Sequence, residues 1–447
     1  MKARFQNIGP VHKAELEIKN LTIIAGANNT GKTYLVYTLY GFLKQIQQIY
    51  FFDNSIESLL PFNSKQAAQD ILKTGKIQFS VTDFNLLAKK IAEPYLSMSS
   101  DNISDIFSTP TEDFAEAKFS LLTDNNSPQK LERSLHFITA SFENGVLSFS
   151  LNSVAPSLPE EEIIIILQML FVQLCIPKLP EPFILSSERF GISLFYKELD
   201  FTKNRLVETL QKLKDKGSRD PFFLMDQVSS RYAQPIKDNI DYTRDLEFIQ
   251  KQHTSLPNNK LFNDIKKMLN GSFSYKNGDI RFVSKARKNG KFDIPLHLAS
   301  SSAMGLSDFY FFLKHIAHNN QILIIDEPES HLDTANQIEM ARLLVRCVNS
   351  GLKVIITTHS DYIIKEFNNL IMLSQDFAGK EAFLKKYSNS YGEEDYLKPE
   401  NVAAYISEKA SLTRCEVDNL GLNMPNFDDT IDMINQIANE LALSVEP

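Results

Sequence analysis

Apolar and polar residues alternate near the start of the chain, over residues 3–8 and 14–18, with Gly9 and Pro10 between the two runs. Alternation with a period of two is typical of half-buried strands, and turn residues between two such runs favour a hairpin. The apolar run Leu21–Ala25 predicts a buried strand. A loop bounded by glycines follows, and leucines then recur at helical spacing over residues 32–47, which predicts a helix.

Strands and helices alternate again in the last third of the chain. Residues 321–326 and 353–358 are apolar, β-branched runs, and each is followed by a stretch with helical spacing. Such runs belong in the middle of a parallel sheet that is covered on both faces. The predicted fold class is therefore α/β, with a mainly parallel sheet, an antiparallel N-terminal lobe and an inserted lobe of mixed α+β and helical character.

This core is split along the chain, because its first strand and its later strands lie far apart in sequence. We expect residues 1–47 and 271–375 to form the two parts of the core. The intervening residues are predicted to be a mixed insertion (48–180) with a hairpin at Asn144-Gly145, a strand and turn (181–194), and a helical insertion (195–270). A second hairpin is predicted at Asn277-Gly278, and residues 376–447 are expected to be a helical extension.

Composition restricts the class of protein. The net charge of −8 makes the chain a poor candidate for coating nucleic acid indiscriminately. Its three cysteines lie far apart with no CxxC pair, which argues against a zinc ribbon and suits a reducing cytoplasm. No signal peptide precedes the first strand, and the most apolar run, residues 163–176, is shorter than the roughly 20 residues needed to span a bilayer. We expect a buried helix there and a cytoplasmic protein.

The loop at residues 26–33 fits the P-loop pattern GxxxxGK[ST]. Its two glycines let the backbone turn so that successive N–H groups face phosphate oxygens, and the following helix adds its positive N-terminal end. Lys32 is expected to reach the β- and γ-phosphates of ATP, and the Thr33 hydroxyl to bind Mg²⁺. The predicted nucleotide-binding residues of this loop are Gly26, Asn28, Asn29, Thr30, Gly31, Lys32 and Thr33.

Residues 322–329, Ile-Leu-Ile-Ile-Asp-Glu-Pro-Glu, are typical of a Walker B strand. Asp326 ends the apolar run and is predicted to hold Mg²⁺ together with Thr33. Glu327 follows at the carboxyl end of the strand, where it could accept a proton from an attacking water. A strand that merely ends in acidic residues before a turn is the alternative, which the P-loop disfavours.

Further candidates surround this strand. Ser300, Ser301, Ser302 and Gly305 precede an apolar helix expected at about residues 306–316, and hydroxyls at a helix start suit an anion. The alternative is an ordinary serine cap without a ligand. Asp333 follows the Walker B residues, and His359 ends the next strand, where it could contact a γ-phosphate or only cap the strand.

Arg189 follows the short strand at 183–185. It could sense phosphate or contact a partner, and a structural role is an equal alternative.

Together these motifs resemble the SMC, RecF and OLD branch of the ABC ATPases. The serine loop resembles a degenerate ABC signature, 330–333 resembles a D-loop, and His359 resembles the switch histidine. The resemblance implies an ABC/SMC-type head that forms a homodimer or higher homo-oligomer, with each ATP between the P-loop of one copy and the serine loop of another. In this role Lys32, Glu327 and His359 would be catalytic.

Within that branch, the chain is similar to the ATPases of two-gene bacterial antiviral systems of the PARIS and Septu types. This likeness implies a sensor that controls a separate nuclease or toxin. The alternative is a RecF-like genome-maintenance ATPase that closes on DNA. The basic residues between 276 and 291 could touch a phosphate backbone, although a solvated loop is the commoner meaning of such a run.

An intrinsic nuclease is not expected, because too few residues follow residue 375 and the acids at Glu393–Asp395 and at Asp428, Asp429 and Asp432 have no strand pattern after them.

Overall fold

The computed structural model describes residues 1–47, 57, 59–123, 130–135, 137–152, 159–196, 232–257, 260–284, 292–388, 390–424, 433 and 436–441. The described residues group into two units. The first draws on residues 1–4, 42–99 and 118–179, and the second on 5–41, 100–117 and 180–447. Residues 100–117, within the predicted insertion at 48–180, thus belong to the second unit. Residues 197–231 of the predicted helical insertion (195–270) lie outside the described residues, as do the basic positions 285–291 and the acids Asp428, Asp429 and Asp432.

The strands are, in chain order, β1 (Lys2–Ile8), β2 (Val11–Glu17), β3 (Leu21–Ala25), β4 (Lys76–Ser80), β5 (Ser97–Met98), β6 (Lys118–Leu122), β7 (Lys130–Leu135), β8 (Ile138–Glu143), β9 (Val146–Leu151), β10 (Pro182–Leu185), β11 (Gly271–Lys276), β12 (Asp279–Ser284), β13 (Asp293–Pro295), β14 (Ile322–Asp326), β15 (Lys353–Thr358), β16 (Val402–Glu408), β17 (Ser411–Asp418) and β18 (Gly421–Asn423). The helices are α1 (Lys32–Gln47), α2 (Ser64–Thr74), α3 (Phe84–Tyr95), α4 (Ser100–Phe107), α5 (Glu160–Cys175), α6 (Gln234–Arg244), α7 (Leu246–Ile249), α8 (Phe262–Met268), α9 (Ser301–Phe311), α10 (Thr334–Asn349), α11 (Asp361–Ser374) and α12 (Lys380–Lys386).

The second unit is built on a sheet with the strand order β10-β14-β15-β3-β16-β17-β2. The neighbours from β10 to β16 pair in parallel, and β16 pairs antiparallel with β17. Strands β3 and β14 are buried along their whole length, as expected for apolar runs covered on both faces. The α/β fold class is therefore confirmed, and the parallel strands direct their carboxyl ends to one edge.

The C-terminal segment corrects the prediction of a helical extension over 376–447. Residues 402–408 form β16, which pairs with β3 at the centre of the sheet and is buried at its first four positions. The prediction that no strand follows the acids at Glu393–Asp395 is wrong for the same reason. The run Val-Ala-Ala-Tyr-Ile has a weak strand signal because alanine is depleted in strands, and its burial between neighbouring strands overrides that local preference.

The first unit contains a sheet with the order β4-β9-β8-β7, whose neighbours pair antiparallel. The predicted hairpin at Asn144-Gly145 is present, with Glu143 opposite Val146, and the turn residues have the positive φ angles that Asn-Gly accommodates. Helix α5 is the apolar helix predicted at 163–176, and its buried face packs on this sheet. None of the described helices is long and apolar enough to cross a membrane.

Candidate functional site

The P-loop lies between β3 and α1, and its backbone takes the tight turn expected of it. Gly26, Asn29 and Gly31 have φ angles of 147°, 62° and 94°. Strand β16 supports this loop: Ser407 Oγ donates to the Thr30 carbonyl at 2.9 Å, and a Cβ on Gly26 would lie 2.5 Å from the Ser407 carbonyl oxygen. A side chain at Gly26 would therefore displace the loop from the strand that supports it.

Lys32 lies within the P-loop and is 5% exposed. Its Nζ donates to the carbonyl oxygens of Gly26 and Ala27, both at 2.8 Å. Burial lowers the pKa of Lys32, while the nearby charges of Glu327, Asp326 and Glu329 act in the opposite direction. The ammonium is thus desolvated, and its hydrogen-bond partners are neutral carbonyl oxygens. Charged phosphate oxygens would bind it more strongly, because hydrogen bonds between charged groups are stronger than those to neutral groups.

Thr33 and Asp326 meet at the carboxyl end of β14. Thr33 Oγ1 donates to Asp326 Oδ2 at 3.0 Å, and the Thr357 hydroxyl donates to the other carboxylate oxygen. Burial raises the pKa of Asp326 to about 6, although both threonine hydroxyls oppose the shift. A hydroxyl and a buried carboxylate side by side are the hard oxygen ligands that Mg²⁺ prefers, so this pair fits the predicted metal site.

Glu327 adopts a left-handed backbone conformation with φ of 53°, which is uncommon outside glycine and typical of functional sites. Its N–H donates to Thr357 Oγ1 at 3.0 Å and to the Thr357 carbonyl at 3.2 Å. The carboxylate accepts from Ser330 Oγ at 3.1 Å and is 30% exposed. The acid is thus held in place but remains open to a water molecule.

His359 is placed by Glu329, a residue that the sequence analysis did not single out. Glu329 is almost fully buried, and its Oε1 accepts from the Thr358 hydroxyl at 2.8 Å and from the His359 N–H at 2.7 Å. The same Glu329 oxygen lies 3.3 Å from His359 Nδ1. The distance from His359 Nδ1 to Glu327 Oε1 is 3.9 Å. The third acid of the Asp-Glu-Pro-Glu run was the available signal.

Arg189 lies directly behind the acids Asp326 and Glu327. It is 3% exposed, and its guanidinium donates to the backbone carbonyls of Ser186 at 3.0 Å, Asp326 at 2.7 Å and Glu327 at 2.6 Å. Burial lowers the pKa of Arg189, and the charges of Asp326, Glu329 and Glu327 oppose this shift. Two of its three hydrogen bonds hold the turn at the end of β14 and the third holds the end of β10, which favours the structural alternative over phosphate sensing.

The serine loop forms the start of α9, which begins at Ser301 rather than near residue 306. Ser300 is the N-cap and accepts from the Ala303 N–H at 3.2 Å, while Ser302 Oγ donates to the His331 carbonyl at 2.5 Å. Gly305 lies inside the helix, and apart from its chain neighbours and the helix's own backbone, no atom of the described residues lies within 4 Å of the position of an added Cβ. The serines thus occupy the first helical turn, where caps and free N–H groups are found.

Asp333 caps its own helix in this chain. Its Oδ1 accepts from the Asn336 N–H at 2.9 Å, at the start of α10.

The structure brings together Lys32, Thr33, Asp326, Glu327 and His359 at the carboxyl ends of β3, β14 and β15. Asn28 and Asn29 are exposed on the P-loop. Within the part of the chain that the structure describes, no cluster of three or more His, Cys, Asp or Glu residues could hold a metal on its own.

A family model described as an AAA ATPase domain matches residues 2–364. No curated protein matches the chain. Solved structures with similarity include an SMC head bound to the C-terminal winged-helix domain of ScpA (13% identity, 92% of this chain and 96% of that one, TM-score 0.33). Two others are a Pyrococcus furiosus SMC head with an extended coiled coil bound to the C-terminal domain of ScpA (12%, 98% and 98%, 0.30) and a Thermotoga maritima SMC head (10%, 93% and 98%, 0.31). TM-scores of this size support no argument about function.

Proposed function

Since the chain belongs to the AAA ATPase domain family, we propose that it is an ABC/SMC-type ATPase that closes two copies of itself around ATP and hydrolyses it to ADP and phosphate. The observation that carries this proposal is the convergence of Lys32, Thr33, Asp326 and Glu327 at one edge of the sheet, with Thr33 and Asp326 in direct contact.

Each residue has a role that follows from its position. The P-loop N–H groups and Lys32 bind the phosphates, exchanging the loop carbonyls for phosphate oxygens. Thr33 and Asp326 would hold Mg²⁺, which supplies positive charge next to the phosphate oxygens. Glu327 accepts a proton from the attacking water, and His359, oriented by Glu329, contacts the γ-phosphate.

A second copy would complete the site with its serine loop. Ser301 is exposed at the start of α9, and the neighbouring Leu298 is 64% exposed. Tyr362, at the start of α11 beyond His359, is 49% exposed. These exposed residues lie next to the predicted dimer contacts and support a surface that ATP closes. Asp333 would contribute to this dimer surface by capping the first turn of α10.

The ATP-bound dimer is further proposed to hold a separate effector protein, a nuclease or toxin, as in antiviral defence. The acidic net charge supports a protein partner over DNA. DNA held by a RecF-like dimer is the competing outcome. The two differ in salt dependence, which is steep for DNA because counterions are released from phosphates.

Glu327→Gln tests the hydrolysis step. Removing a positioned general base lowers turnover by about 10²–10⁴-fold, so this variant should bind ATP, hydrolyse it slowly and accumulate as a dimer in ultracentrifugation. Glu381→Gln, an exposed acid on α12, is the matched control and should behave as the native chain. Native turnover in Glu327→Gln would exclude Glu327 as the base.

Replacing Ser301 and Ser302 together with alanine tests the dimer. This variant should bind nucleotide as a monomer and fail to dimerise with ATP. Unchanged dimerisation would show that the serine loop does not take part in the ATP-bound dimer contact.

The partner is tested by capturing tagged Glu327→Gln protein with ATP and Mg²⁺, expressed with its neighbouring genes. A stoichiometric nuclease or toxin-like protein supports effector control. DNA without a protein partner would contradict it and favour genome maintenance.

A further inference from the structure

The first unit contains a cavity of about 860 Å³, and none of its lining residues belongs to the nucleotide site. Helix α3, strands β6 and β7 and the end of α5 form its walls. Small-molecule sites are typically clefts of about 300–1,000 Å³ that combine apolar walls with a few polar groups. The cavity has the size of such a site, and its lining decides which ligand it suits.

The deeper walls are apolar. Ala88 and Ala92 of α3, Leu121 of β6, and Leu174 and Cys175 of α5 line the cavity and are each less than 10% exposed. Burial raises the pKa of Cys175 to about 12, so its thiol is uncharged and acts as an apolar wall. A ligand with an apolar body of several carbon atoms would find contacts on several sides.

Arg133 on β7 places a cation in this lining. Its Nη1 donates to the Glu132 carbonyl at 2.9 Å, and no ion pair joins it to a carboxylate among the described residues. Partial burial of the guanidinium lowers the pKa of Arg133. A guanidinium has five donors in a planar fork that matches carboxylate and phosphate oxygens. Among the described residues, the Glu132 carbonyl is the hydrogen-bond partner of this fork.

The rim adds to the positive charge. Lys89 and Lys178 line the cavity and are exposed, against the exposed acids Glu93 and Glu132. With Arg133, the lining carries three cations and two anions, so it favours an anion.

We propose that this cavity is a binding site for a small amphipathic anion, whose charged group pairs with Arg133 and whose apolar body lies against α3 and the end of α5. The site is separate from ATP hydrolysis in its residues and does not depend on it.

The full-length protein can be tested with 1-anilinonaphthalene-8-sulfonate, an aromatic anion that fluoresces in apolar surroundings. We expect a saturable binding component that weakens by about tenfold or more in Arg133→Gln, since a hydrogen bond to a charged group is lost. Lys90→Gln is the matched control, because Lys90 neighbours Lys89 on α3 but does not line the cavity. Ala92→Leu narrows the cavity without changing charge and should weaken binding as well.

Thermal unfolding confirms that each variant is folded, and Ala92→Leu keeps the proposal testable if Arg133→Gln is unstable. Competition then reads the charge: octanoate should displace the dye, and octanol at the same concentration should not. Binding that is equal in the native chain, Arg133→Gln and Ala92→Leu would overturn the proposal. Equal displacement by octanoate and octanol would also overturn it.

Discussion

Arg189→Met removes the guanidinium behind Asp326 and Glu327 while keeping a side chain of similar length. In the native chain three carbonyl oxygens, those of Ser186, Asp326 and Glu327, accept from this group within 3.0 Å. Methionine fills most of the volume but donates no hydrogen bond. The variant therefore measures what the hydrogen bonds contribute, with little effect from an added cavity.

The expected magnitude follows from two opposing terms. A hydrogen bond to a charged group contributes about 1.5–3 kcal/mol, and three are lost. The native chain, however, buries a cation whose desolvation is unfavourable, as the lowered pKa of Arg189 shows, and methionine relieves this penalty. We expect a net loss of about 2–4 kcal/mol in the free energy of unfolding, which lowers the melting temperature by several degrees.

Turnover should fall as well, because the guanidinium holds the Glu327 backbone at a φ of 53°. Backbone strain of this kind amounts to about 1–3 kcal/mol. If its loss misplaces Glu327, each increase of about 1.4 kcal/mol in the activation free energy slows the reaction about tenfold. We expect single-turnover hydrolysis to slow by about 10–100-fold, with ATP affinity nearly unchanged since Lys32 and the P-loop remain.

Two comparisons separate positioning from simple stability. Arg281→Met removes a partly exposed ion pair with Asp293 and should change stability by less than about 1 kcal/mol and leave turnover intact. Added guanidinium ion at low concentration should restore part of the turnover of Arg189→Ala, since it can occupy the vacated space. Native single-turnover rates in a destabilised Arg189→Met protein would refute the positioning role.

Other predictions concern single positions. Lys32→Ala should abolish ATP binding in equilibrium titration, and near-normal affinity would contradict the P-loop assignment. Gly26→Ala should weaken ATP binding, because its Cβ would lie 2.5 Å from the Ser407 carbonyl oxygen; unchanged affinity would show that the loop adjusts. Burial raises the pKa of Asp308 to about 7, against the opposing Thr243 hydroxyl and Arg189 charge. The native state therefore retains a proton that the unfolded chain releases above about pH 4, so native stability falls as pH rises from about 4 to 7. Asp308→Asn lacks this titration and should gain melting temperature relative to the native chain between pH 5 and pH 8; a constant difference would refute this.

Motifs that are contiguous in sequence were predictable from the sequence alone. The P-loop is specified within residues 26–33, and Asp326 and Glu327 sit where an apolar strand ends. The hairpins at Asn144-Gly145 and Asn277-Gly278 were predictable for the same reason, because Asn-Gly accepts the positive φ angles of the turn.

Contacts between distant residues were not predictable from the pattern. Ser407 supports the P-loop from 377 positions away, on a strand whose alanines make its strand signal weak. Arg189 reaches the Walker B carbonyls across 137 and 138 positions, and a lone arginine after a strand carries no mark of that use. Local sequence preferences predict individual helices and strands. These contacts, in contrast, depend on which strands become neighbours in the sheet.

The site contains two buried cations near the acids Asp326, Glu327 and Glu329, and their partners distinguish their roles. Arg189 is bound to backbone carbonyls at the ends of β10 and β14, and we expect these hydrogen bonds to persist when a nucleotide binds. Lys32 is bound to carbonyls of the P-loop, which phosphate oxygens can replace. Arg189 therefore offsets the acids permanently, while Lys32 is the cation that can respond to nucleotide. Removing Arg189 should disturb the positions of these acids with or without ATP. Removing Lys32 should chiefly weaken the binding of ATP.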